Sequence, residues 1–198
     1  MNLEEFNYDL PPSRIAAYPS RKREGSRLLV LRRQTGEIVH SVFSELGEFL
    51  DSGDLLVLND TKVFPARLLG AKASGGRAEV LLLGPFSEAG RTLWIALVDA
   101  GKRPPVGSWL SFGDALRAEV IGDLGAGRFG LEFHHDGEFS ARLETLGEPP
   151  LPPYVRRQRS AAALDRDRYH TVYAANARAI GAPTAGFHLT PELVAKLS

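Results

Sequence analysis

Residues 182–190, Ala-Pro-Thr-Ala-Gly-Phe-His-Leu-Thr, concentrate the residue types that chemistry needs. Histidine is the side chain suited to general acid–base work at neutral pH, which makes His188 a candidate for giving or taking a proton. Gly186 tolerates a tight turn or the close approach of a ligand to the backbone. Thr190 and Pro191 read as the N-cap and first position of a helix. The free N–H groups of that helix start suit an anion or a carboxylate. A histidine near a helix start is more often structural, and both readings stand at this level. A second polar group, Asn59-Asp60-Thr61, ends the apolar run Leu55–Leu58. Such triplets usually build Asx turns or helix caps. At the tip of a buried strand in an α/β fold, however, they stand where ligands bind.

Two other motifs lose their chemical reading to their neighbours. Gly122-Asp123-Leu124-Gly125-Ala126-Gly127 resembles a phosphate loop, but a helix must follow such a loop. The alternating Arg128–Phe133 follows instead, so a hairpin turn is expected. That weakens a dinucleotide-dependent oxidoreductase or an ordinary methyltransferase. His134 and His135 are adjacent, and adjacent strand residues point to opposite faces. With no cysteine and no His-x-x-x-His pair, no protein-bound metal is expected.

Lys plus Arg and Asp plus Glu balance at 24 each, so net charge gives no push toward nucleic acid or membrane. Charge is uneven locally. Residues 21–33 hold Arg21, Lys22, Arg23, Arg27, Arg32 and Arg33 against Glu24, and residues 156–168 hold Arg156, Arg157, Arg159, Arg166 and Arg168 against Asp165 and Asp167. Each patch alone reads as solvated arginines; if the two converge, they read as a phosphate contact. The absence of cysteine excludes disulfides and thiolate chemistry and suits a reducing compartment. No apolar run approaches the ~18–20 residues of a membrane span, and the acidic N-terminus lacks a signal-peptide core. A soluble cytoplasmic protein is expected.

Three zones must position these groups. In the first, Leu28–Leu31 and Ile38–His40 read as strands around a turn at 34–37, Ser44 as the cap of a helix over 45–50, and Leu55–Leu58 as a fully buried strand. The second zone, roughly 63–155, holds 14 of the 20 glycines. Strand candidates recur there at Arg67–Ala71, Ala78–Leu83, Thr92–Val98, Ser108–Phe112, Arg117–Ile121 and Arg128–Phe133, which suggests an antiparallel sandwich or small barrel. A short helix over 138–146 would present Phe139, Leu143 and Leu146. In the third zone the proline-rich Glu148–Tyr154 is a stiff connector. A helix is expected over 163–175 with Tyr169, Val172 and Tyr173 on one face. A last helix starts at Thr190 and has barely two turns, so a portion of a longer chain is expected.

An ordered set of motifs then carries a family resemblance. It comprises Tyr-Asp-Leu-Pro-Pro (8–12), Ser-Arg-Leu-Leu-Val-Leu (26–31), Gly-Asp-Leu-Leu-Val-Leu-Asn-Asp-Thr-Lys-Val-Phe-Pro-Ala-Arg-Leu (53–68), Glu-Val-Leu-Leu-Leu (79–83), Pro-Pro-Leu-Pro-Pro-Tyr (149–154), Asp-Arg-Tyr-His-Thr-Val-Tyr-Ala (167–174) and Ala-Pro-Thr-Ala-Gly (182–186). Across the whole chain it resembles the S-adenosylmethionine:tRNA ribosyltransferase-isomerase family of queuosine biosynthesis. The resemblance implies an α/β domain with an inserted antiparallel β-barrel, α+β overall. Residues 1–62 and 154–198 would form the α/β domain, 63–153 the barrel, and the C-terminal part of the α/β domain would be missing.

The implied reaction moves the ribosyl part of S-adenosylmethionine onto the aminomethyl-deazaguanine base of a tRNA, forms epoxyqueuosine, and releases adenine and methionine. His188 and Asp60 are the implied catalytic pair. Asn59, Thr61, Arg67, Tyr169, Thr171, Tyr173, Pro183, Thr184, Ala185 and Gly186 are the implied substrate-binding set. Aromatic faces and carboxylates favour a sulfonium; Arg67 and the basic patches suit phosphates. S-adenosylmethionine is a substrate rather than a resident cofactor, tRNA is the partner, and a monomer with no membrane association is expected. The alternative is a truncated, inactive relative that keeps only substrate or RNA binding. The chain departs from the family pattern at His170 (usually Gln), at Arg178 (usually Gly), and in the swapped order of Phe187 and Leu189.

Overall fold

The computed structural model describes residues 2–152, 154–155 and 162–198, with backbone alone at 162 and 176–179. Of the second basic patch, Arg156, Arg157 and Arg159 lie outside the described residues, as does the Arg178 side chain. The first segment forms the antiparallel hairpin β1 (Arg27–Arg32) and β2 (Glu37–Val42), then a 3-10 helix Phe43–Phe49, then the short strand β3 (Thr61–Val63). Six strands follow: β4 (Arg67–Lys72), β5 (Arg77–Glu88), β6 (Arg91–Ala100), β7 (Trp109–Phe112), β8 (Leu116–Gly125) and β9 (Arg128–His135). Helix α1 (Phe139–Leu146) and the two-residue β10 (Gly147–Glu148) complete this part. Helix α2 (Ala162–Arg168), strand β11 (Asn176–Ala179), a 3-10 helix Thr184–His188 and helix α3 (Pro191–Leu197) make up the rest.

All six strand candidates of the middle zone are present; five run longer than expected, and β7 begins at Trp109 rather than Ser108. They hydrogen-bond in the order β4-β5-β6-β9-β8-β7, and β7 pairs back onto β4 to close a barrel. Closure removes the exposed sheet edges. It is helped by register slips between Leu82 and Gly84, Val120 and Gly122, and Asp123 and Gly125, because bulges add local bend and twist. Where β4 crosses onto β7, a Cβ on Gly70 would lie 2.6 Å from the Phe112 ring, so only glycine fits.

Alternation supplies the core: Ala78, Val80 and Leu82 of β5 point inward, as do Leu116, Ala118 and Val120 of β8. Leu68, Leu110, Phe112, Phe129 and Leu131 are also fully buried, each contributing about 1.5–3 kcal/mol of burial. Helix α1 buries Leu143 and packs Phe139 against Trp94 and Phe133, at ring separations of 5.4 and 4.9 Å.

The chain enters the barrel from β3 and returns through β10, which pairs with β4. It then brings β11 alongside β3 in parallel, with Asn176 opposite Thr61 and Ala177 opposite Lys62. The backbone N–H of Ala175 donates to the Asp60 carbonyl at 2.9 Å. Two segments separated by the whole barrel thus meet as one parallel pair, a pairing that no sequence signal announced.

Three expectations fail locally. Leu55–Leu58 is not a buried strand: Leu55 and Val57 are 87% and 80% exposed, and the run has no strand pairing. An unbroken apolar strand is buried only when neighbours flank both edges and layers cover both faces; among the described residues nothing does so. Leu29, Leu31 and Ile38 of the hairpin are exposed as well. The helix expected over 163–175 stops at Arg168. At its end the Asp167 carbonyl, and beyond it the His170 carbonyl, accept bonds from Arg23 instead of continuing a helical ladder. The turn at 43–49 is 3-10 and begins after Val42, with no side-chain cap from Ser44. The helix after Thr190 is as expected: Thr190 Oγ1 accepts from the Leu193 N–H at 3.2 Å, and Leu193 is buried.

Candidate functional site

The 3-10 turn Thr184–His188 sits against the segment 169–173, and aromatic rings and one glycine set that contact. Tyr169 is buried and stacks at an angle on Phe187, with ring centroids 5.4 Å apart. Burial raises the Tyr169 phenol pKa, while a hydrogen bond to the Ala182 backbone opposes that shift. Tyr169 therefore grips both ends of the 182–187 stretch as a neutral phenol. Gly186 is buried directly beneath Tyr173 and Thr171; a Cβ there would overlap the Tyr173 hydroxyl and lie 2.7 Å from Thr171 Cγ2. Burial also raises the Tyr173 pKa, with the Thr171 hydroxyl opposing it. Among the described residues, Thr171 Oγ1 is buried without a hydrogen-bond partner.

Arg23 locks the two segments together. Its Nη1 donates to the carbonyls of His170 (2.9 Å) and Phe187 (3.2 Å), and its Nη2 to that of Asp167 (3.1 Å). Burial, and then the nearby Arg168 charge, lower the Arg23 pKa. Arg168 in turn donates to the Ser20 and Arg21 carbonyls. Arg23 and Arg168, one residue from each basic patch, thus lie near one another, and the guanidinium Nη groups of both are turned to backbone carbonyls. Sequence reasoning counted Arg23 only as one charge among six. The N-terminal cluster was the available signal, but nothing in it revealed carbonyl acceptors about 150 residues away.

The remaining site residues are distributed unevenly. His188 ends the turn half-buried, with its ring 5.1 Å from Phe43. Pro183 precedes the turn, and Thr184 and Ala185 are exposed on it. Asn59 Oδ1 accepts from the Thr61 N–H at 2.9 Å, which is an Asx turn. Asp60 is exposed and joined to the 175 region through its carbonyl. Arg67 belongs to the barrel: its Nε and Nη2 each reach Glu79 at 2.8 Å, and Glu148 lies 3.8 Å from Nη1. The hydrogen bond to Glu79 is the first cause of its raised pKa. Two carboxylates thus already occupy the cation assigned to phosphate. A groove of about 610 Å³ lies beside it, lined by Gly70, Arg77, Glu79 and Asp99, and holds none of the implied catalytic residues.

Glu119, Glu132 and His134 bring one ligand atom each within 4.8 Å on the barrel wall, a grouping that adjacency arguments about His134 and His135 passed over. Arg91 supplies charge there through an ion pair to Glu132 at 2.9 Å. No helix is long and apolar enough, among the described residues, to cross a membrane.

A closed six-stranded barrel inserted between two segments that rejoin as a parallel pair, with an aromatic-lined turn clamped at the junction, defines a barrel-insertion α/β architecture. The chain belongs to the family described as "Queuosine biosynthesis protein", whose profile matches residues 3–198. It is 48% identical to the S-adenosylmethionine:tRNA ribosyltransferase-isomerase of Halothermothrix orenii, over 100% of this chain and 56% of that protein. It is 45% identical to the protein of the same name from Staphylococcus haemolyticus, over 98% of this chain and 55% of the other. A crystal structure of S-adenosylmethionine tRNA ribosyltransferase from Thermotoga maritima is 33% identical, covering 98% of this chain and 53% of that one, with a TM-score of 0.35. The chain spans a little over half the length of the curated relatives it matches.

Proposed function

We propose that this chain carries the N-terminal, substrate-handling part of an S-adenosylmethionine:tRNA ribosyltransferase-isomerase. The reaction moves the ribosyl group of S-adenosylmethionine to the aminomethyl-deazaguanine base of tRNA, forms epoxyqueuosine, and releases adenine and methionine. The observation that carries this reading is the Tyr169–Phe187 and Tyr173–Gly186 packing under the Arg23 clamp. It holds the 182–190 turn rigidly while leaving Thr184 and Ala185 open to a ligand.

The chemistry asks for a base to take a proton from the ribose carbon beside the sulfonium, a neutral amine to attack, and an acid for the departing adenine. His188 and Asp60 are assigned to that proton traffic. Neutral Tyr169 and Tyr173 offer aromatic faces to the sulfonium. Thr171, Thr184 and the 183–186 backbone orient the substrate, with Asn59 and Thr61 holding Asp60 in place. Arg67 serves through its carboxylate network, at the barrel side of the junction.

A second reading is that this chain keeps substrate or RNA binding without turnover. The exposure of Leu55 and Val57 beside the site-bearing β3 favours it. Incubation with S-adenosylmethionine and tRNA carrying the aminomethyl-deazaguanine base separates the two. Adenine release that is lost in His188→Ala and Asp60→Asn supports the first. Binding of S-adenosylmethionine without adenine release supports the second. No binding of either substrate removes both.

A further inference from the structure

Glu119 and Glu132 face each other directly across strands β8 and β9, and His134 stands at the next outward position of β9. Alternation turns all three away from the core, since their neighbours Ala118, Val120 and Leu131 are buried inside the barrel. One oxygen from each carboxylate and one ring nitrogen of His134 lie within 4.8 Å of one another. Both glutamates are half-buried. Like charges set directly opposite on a sheet destabilise it. Arg91 relieves one of the two, donating to Glu132 Oε2 at 2.9 Å. Among the described residues, the Glu119 carboxylate makes no ion pair and accepts no hydrogen bond.

The imidazole sets this group apart from a plain carboxylate patch. Two carboxylate oxygens and one imidazole nitrogen are ligands that zinc takes, and three protein ligands with an open fourth position is the arrangement of zinc sites that keep a water. Magnesium and calcium prefer oxygen ligands, so the histidine favours the transition ion. Donor atoms around a tetrahedral zinc stand about 3.3–3.6 Å apart, from bond lengths of about 2.0–2.2 Å. Rotation of three side chains on the barrel wall closes that difference while the paired backbone stays fixed. Trp109, on β7, steadies the imidazole, with ring centroids 4.9 Å apart. A cleft of about 420 Å³, lined by Asp114, His134 and Asp136, gives an ion and its water a way in. Two arginines oppose a cation here: Arg91 on Glu132, and Arg117, held over the Trp109 ring at 5.7 Å. Strand alternation separates His135 from His134, as the sequence indicates, but it leaves room for ligands from the neighbouring strand, whose register the sequence does not spell out.

We propose that Glu119, Glu132 and His134 form a site for one zinc ion, which ties β8 to β9 on the outer wall of the barrel. The site shares no residue with the 182–190 turn or with Asn59–Thr61, so it is independent of the reading above. Titration of the chain with zinc chloride, followed by calorimetry and by melting temperature, tests it. One equivalent should bind and raise the melting temperature, because an ion that binds only the folded chain stabilises it. His134→Ala and Glu119→Gln should each weaken zinc by at least about 10-fold, the loss that even an outer-shell partner of a metal site can cause. Glu119→Gln should at the same time stabilise the zinc-free chain, since it removes one of two opposed charges. Arg91→Gln should tighten zinc, because nothing then competes for Glu132. His135→Ala should leave zinc binding unchanged. Absence of zinc binding, or binding that persists in His134→Ala and Glu119→Gln, would overturn the site. Loss of binding in His135→Ala would place the ion elsewhere and overturn it, and so would magnesium binding as tightly as zinc, the mark of a plain carboxylate patch.

Discussion

Gly186 lies against Tyr173 so closely that the phenol occupies the place a β-carbon would take. The two residues belong to different segments, and their contact sets how deep the 184–188 turn sits. Gly186→Ala therefore forces either the turn or the tyrosine to move. Overpacking of this kind costs about 1–3 kcal/mol. Urea unfolding should show that loss. Gly186→Ala combined with Tyr173→Phe should recover part of it, because removal of the hydroxyl opens the space. A Gly186→Ala chain as stable as the parent would mean that the turn is not seated on Tyr173.

Arg23 should behave as a geometric clamp rather than as a charge. Its donors reach three carbonyls on two segments. Hydrogen bonds from a charged group are each worth about 1.5–3 kcal/mol in favourable burial; partial exposure of Arg23 places the whole effect near that range rather than at its multiple. Arg23→Ala should destabilise the chain accordingly. Arg23→Lys should recover only a minor part, since an ammonium cannot reproduce the planar fork. Melting temperatures of the three proteins check this, and equal stability of the lysine and arginine forms would contradict the clamp.

The barrel was legible because its signals are local. Alternation in Ala78–Leu83 and Leu116–Val120, with glycine turns between strands, specifies inward and outward faces without knowledge of the partner strand. The junction was not legible for the opposite reason. Thr61–Val63 is too short to read as a strand, and its partner Asn176–Ala179 is more than 100 residues away. The Tyr169, Val172, Tyr173 spacing imitates a helix stripe, but Arg23 captures the carbonyls that a helix would need. Leu55–Leu58 shows the limit of an apolar run: composition says that it wants burial, not whether a neighbour is present to bury it. For the site, the 182–190 turn and its glycine were visible as residue types. The Asx turn at Asn59 was foreseen as the commoner use of such a triplet. The role of Arg23 depends on carbonyl acceptors in distant segments, which no spacing encodes.

His170 should give stability a pH dependence. Its folded pKa lies below its ordinary value, first because of burial and then because of Lys62. The unfolded chain therefore takes up a proton first as pH falls below about 6.5. The contribution is fully present above that pH and is lost as pH falls through the lower folded value. Urea midpoints measured at pH 7.5, 6.5 and 5.5 should decline in the parent more steeply than in His170→Gln. Identical slopes in the two proteins would show that the imidazole is not held neutral by its surroundings.

Leu55–Leu58 should be the least protected apolar stretch near the site. Its residues pair with no strand, and Leu55 and Val57 project into solvent. Amide exchange tracks local opening, so these amides should exchange at close to the rate of an unstructured peptide. Those of β5, β6 and β9, inside the closed barrel, should exchange only through global unfolding. The same exposure makes Leu55→Lys with Val57→Lys nearly neutral, within about 0.5 kcal/mol, as for other surface substitutions. The double variant should also lower self-association, because it replaces exposed apolar side chains with charges. Exchange protection at 55–58 in the monomeric chain, together with a large destabilisation by the two lysines, would show that another part of the chain covers this run.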